Sequence, residues 1–381
     1  MHARKCFFIL LSLLIVLFPV SADLMQSPTW GYGLDLPEGF ELIDKTGNDA
    51  YMFEHTELPV SVIARAYPTS RFSTAEKAME SVMKSLGAEC ETSDFTWRST
   101  SCVASAFSMV LNGAVETGWA TAVPLPEKNG ILVLIAYTPD EYFPQLMQFI
   151  ISCVDSVYTD RGSYYSPGPI TTFAYPEEEL EKHTVTIADT DITIQLDSSD
   201  VEADEFVIER EYAVLCMYQQ SELWQEAWQR YYRQIFRNEC SRLEKAAFSI
   251  QNKLTRKLKG AENIPQALLS WVQGMDYERQ THTSDFAPVT GILCGEGSDC
   301  DSRSMLVAIL LYHMGYKTSI FVSAEYAHAL TGVVLDKPGA KIKLGDNNFL
   351  LGETTAPVDF GLVPQNMNNT DKWLGVDFNF F

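Results

Sequence analysis

The sequence predicts an α+β protein with two folded parts, and three observations lead to that class. Residues 30–158 alternate short β-rich runs with two helix patterns. Neither Pro nor Gly occurs between residues 177 and 259, and beyond residue 205 the apolar period is helical. From residue 264 onward a helix pattern is followed by three β-rich runs. We therefore expect an N-terminal antiparallel sheet packed by helices, a long helical segment and a C-terminal α+β domain.

The composition is that of an acidic globular protein. The 381 residues include 28 Lys and Arg against 50 Asp and Glu, which gives a formal charge of −22. With 46% hydrophobic and 12% aromatic residues, disordered, collagen-like and coiled-coil proteins are excluded. The negative charge, without any basic block, argues against a nucleic-acid partner and against an anionic membrane surface, because phosphate groups would repel the chain.

The first 22 residues have the pattern of a signal peptide. Arg4 and Lys5 precede an almost unbroken apolar run of fifteen residues, 6–20, and small residues follow at the cleavage position, 20–22. A membrane-spanning helix needs about 20 apolar residues, and Pro19 interrupts this run. We expect cleavage, export to the periplasm or the extracellular space, and no stable membrane insertion afterwards.

Export makes the use of cysteine informative. Removing residues 1–22 takes away Cys6 and two basic residues but no acidic one, so the remaining 359 residues have a formal charge of −24. Seven cysteines remain, and exported proteins tend to oxidise their thiols in pairs. An odd number leaves at least one thiol free.

The N-terminal unit, residues 23–159, is predicted from short runs in chain order. A capping box at 73–76 opens the first helix. The predicted strands are 33–36, 50–55, 60–67, 106–111, 118–122 and 131–137, and the predicted second helix is 141–154. The phrase Gly-Leu-Asp-Leu-Pro-Glu-Gly-Phe at 33–40, together with this element order, resembles the PsbP-like family of small α/β/α sandwich domains. The resemblance implies a binding or accessory module without chemistry of its own.

An extended linker is predicted at 160–176, where Ser-Pro-Gly-Pro stands at 166–169 and Pro176 follows. Alternating apolar residues within 184–197 then predict a β-hairpin. In the helical segment, an aromatic stripe recurs at helical spacing: Trp224, Trp228, Tyr231, Tyr232 and Ile235. Such a stripe could be a ligand platform, but core packing is its commoner origin and is the expectation here.

A glycine-rich loop at 295–299 delivers Cys300 to the start of an apolar-periodic helix that Gly315 ends. A thiol at a helix N-terminus faces the positive end of the helix dipole and unpaired backbone N–H groups. Both features favour the thiolate, which is the nucleophilic form, and the N–H groups could hold an oxyanion. His328 follows at the start of a β-rich run, and Glu353 follows the next such run, 348–352.

Cysteine on a helix, then histidine and a carboxylate on successive strands, is the order of the triad in papain-like folds. Residues 264–361 resemble the transglutaminase-like superfamily in Gly-Ser-Asp-Cys at 297–300, His328-Ala329, and Glu-Thr-Thr at 353–355. The resemblance implies a transglutaminase-like domain over 177–381. It makes Cys300 the nucleophile, His328 the general base and acid, and Glu353 the group that orients His328. It also implies that Gln273, in Trp-Val-Gln at 271–273, supplies a second oxyanion donor.

This sequence departs from the superfamily pattern at three places. Leu330 stands where Trp is common and puts substrate contacts in doubt, Glu353 stands where Asp is common, and residues 336–347 add a predicted hairpin extension. Alternatives stay open for single residues: Cys300 could pair with Cys294 or be a buried thiol, and Glu353 could be a solvated acid. We expect no metal and no cofactor, because zinc spacing and calcium-loop patterns are missing from the sequence. Asp301 is then expected to cap the helix.

The function predicted from these residues is that of an exported, thiol-dependent acyl-transfer enzyme. It would act on amide or peptide bonds of a protein or peptide substrate in the cell envelope, with hydrolysis favoured over cross-linking. The alternative is a non-catalytic envelope protein that uses the same fold for binding or assembly. If Cys300 is the free thiol, the other six cysteines can pair or stay buried, and Cys90 with Cys102 is the expected bridge.

Overall fold

The computed structural model describes residues 25–279 and 284–378, so the predicted signal peptide, residues 1–22, lies outside the described residues. Within them, no helix combines the length and the apolar character needed to cross a bilayer. The first ten strands are β1 (Met25–Gln26), β2 (Gly33–Leu34), β3 (Phe40–Thr46), β4 (Ala50–His55), β5 (Ser61–Pro68), β6 (Glu89–Trp97), β7 (Thr100–Leu111), β8 (Ala114–Leu125), β9 (Gly130–Pro139) and β10 (Val157–Tyr158). Helices α1 (Ala75–Leu86) and α2 (Phe143–Asp155) lie among them.

Strands β3 to β9 form a seven-stranded antiparallel sheet in the order β3-β4-β5-β9-β8-β7-β6. Helix α1 packs on one face, where Met79 contacts a cluster that includes Val133, and α2 packs on the other, where Phe149 contacts a cluster that includes Leu134. Because both faces of the central strand β9 are buried, its sequence is almost continuously apolar. The α+β class and the antiparallel N-terminal sheet with helices packed on it are therefore confirmed.

Two strands of the seven-stranded sheet, β3 and β6, were not predicted, and both form edges of that sheet. Their side chains are mostly exposed, so the sequence shows neither an apolar run nor an alternation at these positions. The first helix begins one residue later than predicted, because Thr74, rather than Ser73, is the N-cap and accepts a hydrogen bond from the Lys77 N–H.

The prediction of an extended conformation for residues 160–176 is wrong. Residues 160–176 hold two short helices, α3 (Arg161–Tyr164) and α4 (Pro169–Ala174). The buried Asp155 carboxylate, at the end of α2, accepts hydrogen bonds from the Ile170 and Thr171 N–H groups and from the Thr171 hydroxyl. The predicted linker therefore packs against the N-terminal unit. The Asp155 carboxylate, 15 residues before Ile170, provides acceptors that the Pro-Gly pattern does not reveal.

The expected Cys90–Cys102 bridge is also wrong. These cysteines lie on neighbouring strands, but Cys90 faces Phe107 and Cys102 faces Phe95 in the register of β6 and β7. Five residues of offset correspond to about 17 Å along a strand, well beyond the roughly 7 Å limit between Cα atoms that a disulfide tolerates. All seven cysteines among the described residues are free thiols, including Cys294 and Cys300.

The C-terminal unit contains the predicted hairpin, a set of helices and a second sheet. Its strands are β11 (Leu180–Thr186), β12 (Asp191–Asp197), β13 (Thr318–Ser323), β14 (His328–Val333), β15 (Lys341–Leu344), β16 (Asn347–Gly352) and β17 (Leu374–Asp377). Its helices are α5 (Asp200–Cys216), α6 (Trp224–Arg242), α7 (Glu244–Lys257), α8 (Ile264–Gln273), α9 (Val289–Leu293) and α10 (Cys300–His313). The sheet is antiparallel in the order β15-β16-β14-β13-β17, and β15 lies in the predicted extension, residues 336–347.

Helix α10 forms the centre of this unit, because residues 302–311 are all buried. It packs against α6 and α7 on one side and against β13 and β14 on the other. The C-terminal core is thus built around the helix that begins at Cys300 and the strand that begins at His328.

A buried ionic network joins the two units. The Asp35 carboxylate, in the phrase at 33–40, accepts hydrogen bonds from Arg233 at 2.8 and 3.0 Å, Gln234 at 2.7 Å and Arg237 at 3.2 Å, all on α6. Arg230 of the same helix donates to the Asp35 carbonyl and to Glu211. The N-terminal phrase therefore anchors α6, whose neighbouring tyrosines reach the Cys300 side of the C-terminal unit.

Candidate functional site

Cys300 is the first residue of α10, as predicted from the loop that precedes it. The N-cap is Asp299 rather than the expected Asp301: its side chain accepts from the Ser302 N–H at 2.7 Å, and the Ser302 hydroxyl accepts from the Asp299 N–H at 3.0 Å. Asp299 is the N-cap because the residue before the helix has the extended backbone that lets a short carboxylate reach the third helical N–H. Asp301 is thereby left free for other contacts.

His328 begins β14 after a tight turn from β13. The residue before it, Ala327, has a φ of 46°, a left-handed conformation that is uncommon for a residue with a Cβ atom. Glu353 directly follows β16, the neighbour of β14 in the sheet. This places the two side chains together: His328 Nε2 lies 2.8 Å from Glu353 Oε2.

The Glu353 carboxylate is held on both oxygens. Oε2 contacts His328, and Oε1 accepts from the Thr355 N–H at 2.8 Å and from the Thr355 hydroxyl at 2.6 Å. Burial on its own would raise the pKa of Glu353, but the hydrogen bond and charge of His328 and the Thr355 donors together lower that pKa below its usual range. Glu353 is therefore a buried, ionised partner of His328, and the alternative of a solvated acid does not apply.

Cys300 and His328 both line one cavity of about 270 Å³. Its lining also includes four aromatic residues, Tyr212 from α5 and Trp228, Tyr231 and Tyr232 from α6. The stripe on α6 does pack in the core, as expected, since Tyr231, Tyr232 and Ile235 are buried. Three of its members also form the cavity wall, so core packing describes the stripe only in part.

The structure does not support the expectation of a stabilised thiolate. Cys300 is 5% exposed, and its pKa is raised well above the ordinary value, first by burial and then by the charges of Asp301 and Asp299. The thiol donates to Asp301 Oδ1 at 3.4 Å, and the Ala329 N–H offsets only part of the effect. The helix dipole is outweighed because the sulfur is buried and because two carboxylates adjoin it in sequence. At rest, the thiol is protonated.

Gln273 does not fill the expected oxyanion role. Its Nε2 donates to the Glu353 carbonyl and to the Val358 carbonyl, both at 2.8 Å. An amide nitrogen carries two hydrogens, so both are used by these backbone acceptors. Gln273 instead fixes the chain at Glu353 and five residues after it, which makes it a support for the carboxylate.

Arg303 is a supporting residue that sequence reasoning missed. Its buried guanidinium donates to the Ser298 hydroxyl at 2.8 Å, the Met275 carbonyl at 2.7 Å and the Thr354 carbonyl at 3.4 Å. It thus ties the loop before Cys300 to the end of α8 and to the segment after Glu353. The signal available in the sequence was an arginine in the first turn of a helix whose middle, residues 305–311, is apolar.

Leu330 lies away from the cavity. It is fully buried beside Phe321 and Phe349, in a cluster on the far side of the sheet. Trp373 of that cluster has its ring centre 6.4 Å from that of His328, so an aromatic contact to the histidine comes from another strand end. Among the residues that the structure describes, no group of three or more His, Cys, Asp or Glu side chains is arranged to hold a metal ion.

Comparison with known proteins gives structural similarity at low identity. No family model matches the chain, and no curated protein matches it. The solution structure of the cyanobacterial PsbP protein CyanoP from Synechocystis sp. PCC 6803 is similar over 36% of this chain and 91% of its own, with 11% identity and a TM-score of 0.31. LpqN of Mycobacterium tuberculosis, described as involved in cell envelope biogenesis, is similar over 33% of this chain and 81% of its own, with 17% identity and a TM-score of 0.26. A Bacteroides thetaiotaomicron protein covers 82% of this chain and 86% of its own, with 8% identity and a TM-score of 0.27.

Proposed function

We propose that this protein is an exported, thiol-dependent acyl-transfer enzyme of transglutaminase-like type that hydrolyses amide or peptide bonds. One observation carries the proposal: Cys300 and His328 line the same cavity, while Nε2 of His328 is bound to the buried Glu353 carboxylate at 2.8 Å. A thiol, an imidazole and a carboxylate that orients the imidazole are the parts that nucleophilic acyl transfer requires.

The tautomer follows from the Glu353 contact. Nε2 donates its proton to the carboxylate, which leaves Nδ1 as the basic nitrogen. Nδ1 takes the proton from the Cys300 thiol as the sulfur bonds to the substrate carbonyl carbon. The resulting imidazolium, stabilised by Glu353, returns that proton to the leaving amine as the C–N bond breaks. Water then attacks the thioester with His328 as base, which releases the acid and restores the thiol.

Because the pKa of the Cys300 thiol is raised, the proton moves during attack instead of beforehand. His328 is then required for the nucleophile to form, as in serine hydrolases. With both Gln273 hydrogens in use, the oxyanion donor is the backbone N–H of Cys300, since first-turn N–H groups have no acceptor within their helix.

The proposed substrate class and location follow from the predicted export of the protein. An exported acidic protein meets peptides and proteins of the cell envelope, and the N-terminal unit, joined to α6 through Asp35, would serve as a binding or accessory module. We propose no nucleic acid, metal or cofactor for the reaction.

The test is hydrolysis of a mixture of fluorogenic peptides by the mature protein, with intact-mass detection of the acyl adduct. Wild type should hydrolyse at least one peptide and show an adduct on Cys300, and Cys300→Ala should abolish both. Cys294→Ala is the matched control, since Cys294 is an exposed thiol six residues away, and it should keep full activity. Activity that survives in Cys300→Ala, or no hydrolysis of any peptide by wild type, would overturn the proposal.

A second candidate is a non-catalytic envelope binding or assembly protein. The observation in its favour is the shielded, acid-flanked thiol, which is 5% exposed. In that case His328→Ala would leave the rate of iodoacetamide reaction at Cys300 unchanged. In the enzyme, loss of the base slows that reaction.

A further inference from the structure

The lining of the cavity beside Cys300 combines aromatic and charged side chains. Trp228, Tyr231 and Tyr232 of α6 contribute rings whose centres stand 5.0 to 6.2 Å apart between successive members. Asp301, next to the thiol, and His328 line the same cavity. The reacting sulfur therefore shares its cavity with a carboxylate and with aromatic rings.

Among the charged side chains that line the cavity, some form an ion pair and one does not. Arg279 is neutralised by Asp285, with contacts of 2.7 and 2.5 Å. The Asp301 carboxylate accepts from two neutral donors instead: the Cys300 thiol at 3.4 Å and the Tyr232 hydroxyl at 2.8 Å. Among the ion pairs formed by the described residues, none includes Asp301. After these pairings, Asp301 is the carboxyl group of the cavity lining that no cation pairs; burial raises its pKa, and the donors Tyr232 and Cys300 oppose that rise by favouring the ionised form.

A carboxylate that shares a small cavity with aromatic rings is suited to hold an organic cation. The carboxylate supplies the opposite charge, and the electron-rich ring faces add cation–π attraction. Taking a carboxylate out of water without a cationic partner is unfavourable, so a ligand that brings one is favoured over a neutral isostere.

Resting on the proposed function, we propose that this cavity selects acyl substrates with a positively charged group, an ammonium or a guanidinium, next to the reacting carbonyl, and that Asp301 is the specificity-determining residue. In a peptide, this corresponds to a basic side chain adjacent to the scissile bond.

Recognition and reactivity are linked through the same carboxylate. In the free protein, Asp301 accepts the thiol proton and its charge opposes formation of the thiolate. A substrate cation that pairs with Asp301 competes for that oxygen and cancels the charge, so the thiol is released toward His328. A basic substrate therefore removes the feature that keeps Cys300 unreactive at rest.

The test uses thiol probes that differ in charge and need no turnover. Mature wild-type protein is treated with 2-aminoethyl methanethiosulfonate, which is positive, methyl methanethiosulfonate, which is neutral, and 2-sulfonatoethyl methanethiosulfonate, which is negative. Rates at Cys300 are read by peptide mass spectrometry and divided by the rates at the exposed Cys90 of the same molecule. We expect the positive probe to react at least tenfold faster than the negative one at Cys300.

Two variants separate charge selection from a structural role. Asp301→Asn should bring the positive-to-negative ratio below threefold while the neutral probe reacts faster, because one isosteric change removes both the cation partner and the group that holds the thiol proton. Tyr232→Phe removes a hydroxyl donor but keeps the carboxylate, so it should retain the preference for the positive probe. Misfolding would change the rates of all three probes in the same direction. It cannot lower the positive-to-negative ratio selectively in Asp301→Asn while Tyr232→Phe retains it.

Equal normalised rates for the three probes in wild type, or a tenfold ratio that persists in Asp301→Asn, would overturn the inference. A peptide pair with lysine or norleucine before the scissile bond completes the test. Hydrolysis of both peptides at equal rates rejects charge selection but keeps the enzyme, whereas failure to hydrolyse any peptide rejects the proposed function itself.

Discussion

His328 Nε2 and Glu353 Oε2 lie 2.8 Å apart across two adjacent strands, and the carboxylate is 2% exposed at its side chain. Glu353→Gln keeps the shape of the side chain but removes the charge that stabilises an imidazolium. We expect turnover to fall by a factor of roughly 100 to 10,000 with little change in KM, the range that spans loss of general acid–base catalysis and neutralisation of an orienting carboxylate. The measurement is peptide hydrolysis at saturating substrate. The exposed Glu262→Gln serves as control and should match wild type.

Alkylation of Cys300 should depend steeply on pH. Burial and the neighbouring Asp301 and Asp299 raise the pKa of the thiol, so only the small thiolate fraction reacts and the rate should rise about tenfold per pH unit between pH 6 and 9. Asp301→Asn should speed the reaction at pH 7 about three- to tenfold. Iodoacetamide labelling with quantitation of the Cys300 peptide gives the profile. A rate that is already at its plateau at pH 6 would show a preformed thiolate instead.

Gln273 should matter for the support of Glu353. Gln273→Ala removes the donors to the Glu353 and Val358 carbonyls, and buried acceptors left without a donor cost about 1 to 3 kcal/mol in the free energy of unfolding. We expect the urea midpoint and the hydrolysis rate to fall together. An unchanged midpoint with lowered activity would instead point to a direct role in the reaction. The exposed Asn252→Ala on α7 controls for loss of an amide.

Asp35→Asn should destabilise the junction of the two units. The carboxylate is surrounded by Arg230, Arg233 and Arg237, and removing one side of a buried ion cluster costs roughly 3 to 5 kcal/mol, because the remaining charges stay buried without compensation. Urea unfolding followed by tryptophan fluorescence should show an earlier midpoint. Asp94→Asn, on the exposed edge strand β6, should not shift it. Equal midpoints for the two variants would contradict the network's role.

Thermal stability should be greatest in mild acid. Burial raises the pKa of Glu38 and of Asp204 to about 7, so between about pH 4 and 7 the folded protein holds protons that the unfolded chain has released. Stability therefore falls as the pH rises through that window. Asp35 acts in the opposite sense: despite its burial, the arginines, led by Arg233, hold its pKa at about 2, so its contribution is lost as the pH falls below about 4.

Calorimetric Tm values between pH 3 and 8 should therefore peak at about pH 4 to 5 and decline toward pH 8. Glu38→Gln should flatten that decline, since a neutral amide has no proton to lose, by an amount on the order of 1 kcal/mol in unfolding free energy. A Tm that rises steadily to pH 8 would contradict the raised pKa values.

Much of the fold was accessible from local pattern. Strands β4, β5, β8 and β9 are apolar or alternating because they are central, and the cap of α1 was placed within one residue. The exposed edge strands β3 and β6 were missed for lack of such a pattern. The order of Cys300, His328 and Glu353 along a helix and two strands predicted a shared site, but their supports, Arg303 and Gln273, act through backbone carbonyls that no sequence motif marks.

The sequence by itself determined the elements and the chemical groups: an acidic chain, an antiparallel N-terminal sheet, and a cysteine at a helix start followed by a histidine and a glutamate at strand ends. Capping residues, apolar spacing and turns act over a few residues, so they can be recognised locally. Only the tertiary structure decided that Tyr232 and Asp301, 69 residues apart, meet at the sulfur, and that Asp35 reaches α6 across about 200 positions. Burial under distant segments is the largest influence on the protonation of Cys300, ahead of the adjacent Asp301 and Asp299, and that burial depends on packing that no local pattern specifies.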